Sequence, residues 1–223
     1  MKYILKGKAV WISKAPAPAG VAITGITKAK PAVLTMVNTA KAGDYVRIAG
    51  TGFASLDGKA FKVLAATGTS ITLDNSDSTV ETGTFVANAS ALGFVYDAVA
   101  SLVETCFNSF DVQREAAATI AAATFCGTDS LAGQPGGMTI NVAGFDDPES
   151  TGLHELIDAY NDGLPRLLVY RYPASASASG KAYEAIYPNV IVSGLSGPTA
   201  TPDSVAAFSA TLTVNGSPTL TFM

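Results

Sequence analysis

Charge is scarce in this chain. Asp, Glu, Lys and Arg make up 14% of 223 residues, against about 25% in an ordinary soluble domain. A surface this poor in charge, and rich in Ala, Thr, Ser and Gly, suggests that part of it is hidden in an assembly. Histidine occurs once, at His154, and tryptophan once, at Trp11. With a single histidine, neither a multi-histidine zinc centre nor a choice of catalytic bases can be built. The two cysteines, Cys106 and Cys126, stand twenty positions apart without a CxxC pair, so no zinc site is signalled. Both are expected as small apolar thiols in a β-core. No apolar run approaches the ~18 residues of a membrane span. The nearest, 86–110, is broken by Asp97 and Glu104. The start, MKYILKGKAVWIS, is interrupted by Lys6 and Lys8 and shows no cleavage site, so a soluble, cytosolically made product is expected.

Net charge is −4, which argues against a general nucleic-acid binder. Its distribution is uneven. Residues 1–62 hold ten Lys/Arg against two acids, a balance of +8; the remaining four Lys/Arg against sixteen acids give −12. Either this solvates two surfaces by chance, or surfaces of opposite sign meet in an oligomer.

Hydrophobic residues reach 48%, enough for a sizeable core. Most of the chain reads as short strands separated by Gly, Pro, Asn and Asp. APAPAG (15–20) is a hinge. Strands are expected at 32–37, 45–49, 60–65 and 70–74, with turns at 42–44, 56–58 and 74–77, making 16–90 a small β-module. Beyond it, FVYDAVASLVETCFNSFDV favours strands, and ATIAAATF (118–125) suits a small-residue strand despite its alanines. GTDSLAGQPGG (127–137) reads as a loop, and ASASASG (174–180) as a flexible tip. MTINVAG (138–144), RLLVYRY (166–172) and AYEAIYPNVIVSG (182–194) follow as strands. In VAAFSATLTVNG (205–216), Phe208, Ala210, Leu212 and Val214 alternate with Ser209, Thr211 and Thr213: one buried face, one polar face.

One stretch breaks the pattern. In GFDDPESTGLHELIDAYNDG (144–163), Asp147 can cap, Pro148 suits the first turn, and Glu149 favours the positive end of the helix dipole. Leu153, Leu156, Ile157 and Tyr160 form an apolar stripe, and Gly163 stands where a left-handed cap belongs. A helix over about 148–161 is expected.

No chemistry assembles from these residues. His154-Glu155 superficially resembles the start of HExxH, but the second ligand position holds Asp158, so His154 reads as a solvated histidine. GFASLDGKA (52–60) misses the phosphate-loop spacing and has Ala60 where Ser or Thr would hold magnesium. DNSDSTVE lacks the glycine of a calcium loop. No GxSxG is present; GLSG (194–197) lacks the spacing. Catalytic, cofactor and metal sites are all expected to be absent, and the chain is not expected to be an enzyme.

The run FDVQREAAATIAAATFCGTDSLAGQPGGMTINVAGFDDPESTGLHELIDAYNDG resembles the tail-tube proteins of long-tailed, siphovirus-like bacteriophages. The matching pieces are Arg114-Glu115-Ala116, Thr124-Phe125-Cys126 and Gly137-Met138. GKAVWIS is similar to that family's first strand, and FSATLTVNGSPTLTF, with its Asn215-Gly216-Ser217-Pro218 turn, to its last strands. The likeness covers 1–15 and about 94–223. It implies a mainly-β tail-tube sandwich or barrel, at 1–15 and 91–223, with one flanking helix. It also implies hexameric rings, joined by sheet edges and stacked into a hollow tail tube that conducts DNA from capsid to host without binding it specifically. The implied partners are tape measure, tail terminator and distal tail proteins, and the implied place is the virion. Loop 127–137 and the hinges at 16–20 and 88–93 become candidates for ring-to-ring contacts.

The inserted 16–90 looks like the small, β-barrel-like first catalytic-cysteine half-domain of ubiquitin-activating enzymes, on Gly43-Asp44, Leu56-Asp57-Gly58 and Phe61. It carries no cysteine, so no ubiquitin chemistry is implied, and an exterior position is expected. The other reading is a virion or cell-surface decoration module recognising host carbohydrate or protein, which would need exposed aromatics on one face.

Overall fold

The computed structural model describes residues 9–114, 119–124, 127–132, 137–145, 149–173, 181–199 and 206–222. Among these it is mainly β, with one helix, as the sequence leads one to expect. Lys6, Lys8, Glu115, Ala116, Phe125, Cys126, Asp147, Pro148 and 174–180 lie outside the described residues.

One sheet has the order β10-β13-β16-β15-β14-β1-β9. These are β1 (Ala9–Ser13), β9 (Leu102–Thr105), β10 (Phe107–Arg114), β13 (Met138–Phe145), β14 (Arg166–Tyr172), β15 (Tyr183–Thr199) and β16 (Ala207–Val214). A last strand, β17 (Thr219–Phe222), pairs with the first residues of β15. The sheet cannot be flat. Phe110 of β10 stacks on Tyr170 of β14 with ring centroids 4.1 Å apart, yet four strand spacings of about 4.8 Å separate these strands in the ladder. The sheet therefore curls over itself, and its concave face encloses Val10, Ile12, Ile140, Val142, Leu168, Val192 and Leu212.

β14 explains why RLLVYRY reads as a run and not as an alternation. Leu168 and Tyr170 point into the concave core, while Leu167 and Val169 meet Tyr45, Ala60 and Tyr96 on the convex side. Both faces are covered, so both must be apolar.

What covers the convex side is a second sheet, β2-β8-β5-β6-β7-β4-β3. Its strands are β2 (Val21–Ala22), β3 (Gly25–Ile26), β4 (Val33–Thr35), β5 (Tyr45–Ala49), β6 (Ala60–Thr67), β7 (Ser70–Leu73) and β8 (Leu92–Tyr96). Its two edge strands are separated by two residues of chain. Between them Ile23 N–H donates to Ala91 C=O and Thr24 N–H to Thr35 C=O. One segment thus pairs with β8 by its first half and β4 by its second, which closes a small barrel around Leu34, Ile48, Phe61 and Ile71. Leu92–Tyr96 pairs into this barrel, and the last residues of the 88–93 stretch open that strand.

Two expectations need correction. Gly127–Ala132, read as loop, is strand β12 and pairs with β11 (Thr119–Thr124). A hairpin partner overrides Gly- and Ser-rich local composition. Cys106 is exposed instead of buried in the core, because it stands at the break between β9 and β10, where the ladder slips at Phe107/Ser109.

The helix, α1, runs Thr151–Asp162, three residues later than expected. Ser150 is the cap: its hydroxyl accepts from Leu153 N–H, leaving Glu149 ahead of the helix. Gly163 does close it in the left-handed conformation, φ 64°. Gly152 sits so close to β9 that a Cβ there would lie 2.5 Å from Glu104 C=O.

Candidate functional site

Four strands, β10, β13, β16 and the part of β15 beyond Val190, form a wall in which every neighbour is antiparallel. Its concave side is core. Its convex side carries Ser109, Asp111 and Gln113, then Thr139, Asn141 and Ala143, then Ser209, Thr211 and Thr213, then Ile191 and Ser193. Thr211 Oγ1 donates to Asn141 Oδ1 at 3.2 Å, Thr213 Oγ1 to Ser193 Oγ at 3.0 Å, and Ser193 Oγ to Thr211 C=O at 3.1 Å. Thr211, Thr213 and Ser193 thus donate their hydroxyl protons to neighbouring strands. Among the described residues, the charged side chain on this face is the acid Asp111; Arg114, at the end of β10, follows the core-facing parity of Phe110 and Val112.

Both edges of this wall are open among the described residues. β10 pairs with β13 alone. β14 leaves β15 at the Arg166–Val190 pair, so residues 191–199 pair only with β16. β10 has eight residues, and the free length of β15 is closely matched. Four alternating strands make β10 and β15 point opposite ways. A second copy's β10 laid on the β15 edge would continue the antiparallel order.

The opposite end of the curled sheet is sealed. Glu184, fully buried, ties the barrel to the wall sheet. It accepts from Tyr45 Oη at 3.2 Å and Lys62 Nζ at 2.8 Å on one oxygen, and from Arg171 Nε at 3.0 Å on the other. Burial pushes the Glu184 carboxyl up, but Lys62 and Arg171 outweigh it and hold the group below its ordinary value. Burial, reinforced by Glu184, pushes the Tyr45 phenol far up, so it remains a donor. Arg47 adds a bond to Asn189 at 3.0 Å, Asn75 one to Leu220 C=O at 2.6 Å, and Thr219 one to Ala60 C=O.

His154 and Glu155 do not meet. His154 is exposed, whereas Glu155 turns inward to Arg166 Nε at 3.1 Å. Arg166 is 2% exposed and also holds Asp162 at 2.7 Å. Burial pushes the Glu155 carboxyl up despite Arg166. This pair fastens α1 to β14, a role that the HExxH-like spelling hid. At 52–60, Asp57 accepts from Thr51 N–H, Thr51 Oγ1 and Gly52 N–H, so the glycine-rich stretch is a self-bonded turn. Among the described residues no group of three His, Cys, Asp or Glu is placed to hold a metal, and no helix is long and apolar enough to cross a membrane.

No family model and no curated protein matches the sequence. Among solved structures, the chain is similar to one from the sheath-tube complex of an extracellular contractile injection system, PVC. That match has a TM-score of 0.41 and 19% identity, and covers 54% of this chain and 83% of that one. It is similar to one from the PVC sheath/tube terminator (0.43, 16%, 52% and 86%). A third is the tube-terminating cap of the anti-feeding prophage (0.40, 18%, 54% and 83%). The likeness of 16–90 to a ubiquitin-activating half-domain has no support in these comparisons.

Proposed function

We propose that this chain is the structural subunit of a phage-tail-like tube. The observation that carries the reading is the four-stranded wall, with two open, antiparallel, length-matched edges and a convex face without a basic side chain among its described residues. Joining β10 of one copy to residues 191–199 of the next is heterologous, and such joining closes a ring when the rotation allows. Closure also removes two edges that would otherwise template aggregation. A ring of six, stacked on others, follows the resemblance to siphovirus tail tubes, and the tape measure, terminator and distal tail proteins would be its partners in a virion.

In that arrangement the Ser/Thr face lines the lumen. A polyanion sliding past it meets interstrand-bonded hydroxyls and Asp111, and no cation that would release counterions and hold it. The barrel, packed on the opposite convex wall, lies outside. No catalysis is assigned to the chain.

Two measurements test this. Purified protein imaged by negative stain should show rings or tubes with a stain-filled lumen. Ejection of DNA through tubes carrying Thr211→Lys and Thr213→Lys should be slower and strongly salt-dependent; unchanged ejection would remove the lumen assignment while leaving the tube.

A further inference from the structure

The apolar arc of α1 is wider than this fold covers. Leu153, Leu156 and Ala159 are buried in the concave core. Ile157 and Tyr160, which continue the arc, are 36% and 45% exposed, and Leu164, just past the C-cap, is 45% exposed. The polar arc begins only at His154, Asp158 and Asn161. The surplus lies in a particular place. The helix packs against β9, β1 and β15, and its Glu155 and Asp162 hold Arg166, the β14 residue that pairs with Val190, which sets its last turns at the point where β14 ends and the free stretch of β15 begins. It lies there on the core-facing side, with Val190 and Val192. On β10, the core-facing Phe110 and Val112 are only half-buried.

We propose that Ile157, Tyr160 and Leu164 form the side-chain half of the contact with a second copy of this chain. This rests on the tube reading: if the incoming β10 pairs with residues 191–199, its Phe110 and Val112 fall on the sheet face that α1 already overhangs. Each copy then lays its helix across the seam onto its neighbour. Backbone pairing sets the register of the join, and the helix shields it from water. The seam needs no new fold and no movement, since the helix is already capped at both ends and pinned by Glu155 to Arg166.

The test is assembly of the full chain, read by sedimentation and negative stain, with folding followed by circular dichroism. Ile157→Asp with Tyr160→Asp should leave a folded protein that stays monomeric where the unsubstituted chain forms rings or tubes. His154→Asp puts the same charge on the polar arc and should assemble normally. Should the double variant not fold, Tyr160→Ser alone should raise the concentration needed for assembly at least tenfold. Normal assembly of the double variant, or of Tyr160→Ser in its place, overturns the helix seam and leaves the tube reading standing; so does equal loss in His154→Asp. Failure of the unsubstituted chain to assemble removes the tube reading, and the seam with it.

Discussion

β14 and β16 belong to one sheet and read differently. RLLVYRY is buried at five consecutive positions, whereas FSATLTV alternates buried with wet. Both reflect what lies on the convex face. Over β14 sits the barrel, with Tyr45, Ala60 and Tyr96; over β16 no element of the described residues is packed. The curl that brings Phe110 onto Tyr170 points these two convex faces in opposite directions. One sheet therefore has one convex wall that the barrel covers and another that is largely polar and, among the described residues, uncovered.

Substitution can break this contrast. The largest effect is expected from Val169→Asp, which buries an unpaired charge between two layers; no cooperative thermal transition should remain. Thr211→Asp, the same change on the bare wall, should fold. Next comes Glu184→Ala, which takes the shared acceptor from Tyr45, Lys62 and the part-exposed Arg171 and should cost about 3 kcal/mol in denaturant unfolding. Because the folded Glu184 carboxyl is held below its ordinary value, its contribution is present above about pH 4.5 and is lost as pH falls through the lowered value. Acid unfolding of the natural chain should include this loss, and Glu184→Gln should flatten that part of the profile.

Gly152→Val is smaller. Its Cβ would strike the backbone of Glu104 and Thr105, so the helix must back away from β9 at a cost of about 1–3 kcal/mol. Smallest is Thr213→Val, which gives up a hydroxyl bonded to another exposed hydroxyl; melting should change by no more than about 0.5 kcal/mol.

Much of this contrast was legible in the sequence. The alternation of Phe208, Ala210, Leu212 and Val214 with Ser209, Thr211 and Thr213 marked the polar wall. RLLVYRY reads as a strand, though not as one covered on both faces. Gly163 marked where α1 stops. The start of α1 was placed three residues early because Asp147 has the composition of a cap, whereas the helix opens at Thr151 with the Ser150 hydroxyl on Leu153 N–H. β12 was missed because its own residues, GTDSLA, favour turns, and its strand character comes from pairing with β11 across the hairpin. The clamp on Glu184 joins residues more than a hundred positions apart, Tyr45 and Lys62 to β15, and periodicity carries no trace of it. The helix stripe was read as one surface. Only the structure separates Leu156, which faces the chain's own core, from Ile157 and Tyr160, which do not.

The central claim is that this sheet is built to be continued by another copy. Negative-stain microscopy of the purified, unmodified protein across a concentration series tests it most directly. Rings or tubes with an open lumen and a protruding outer layer are the predicted result. Monodisperse monomers at every concentration, even with lysate components added, would contradict it.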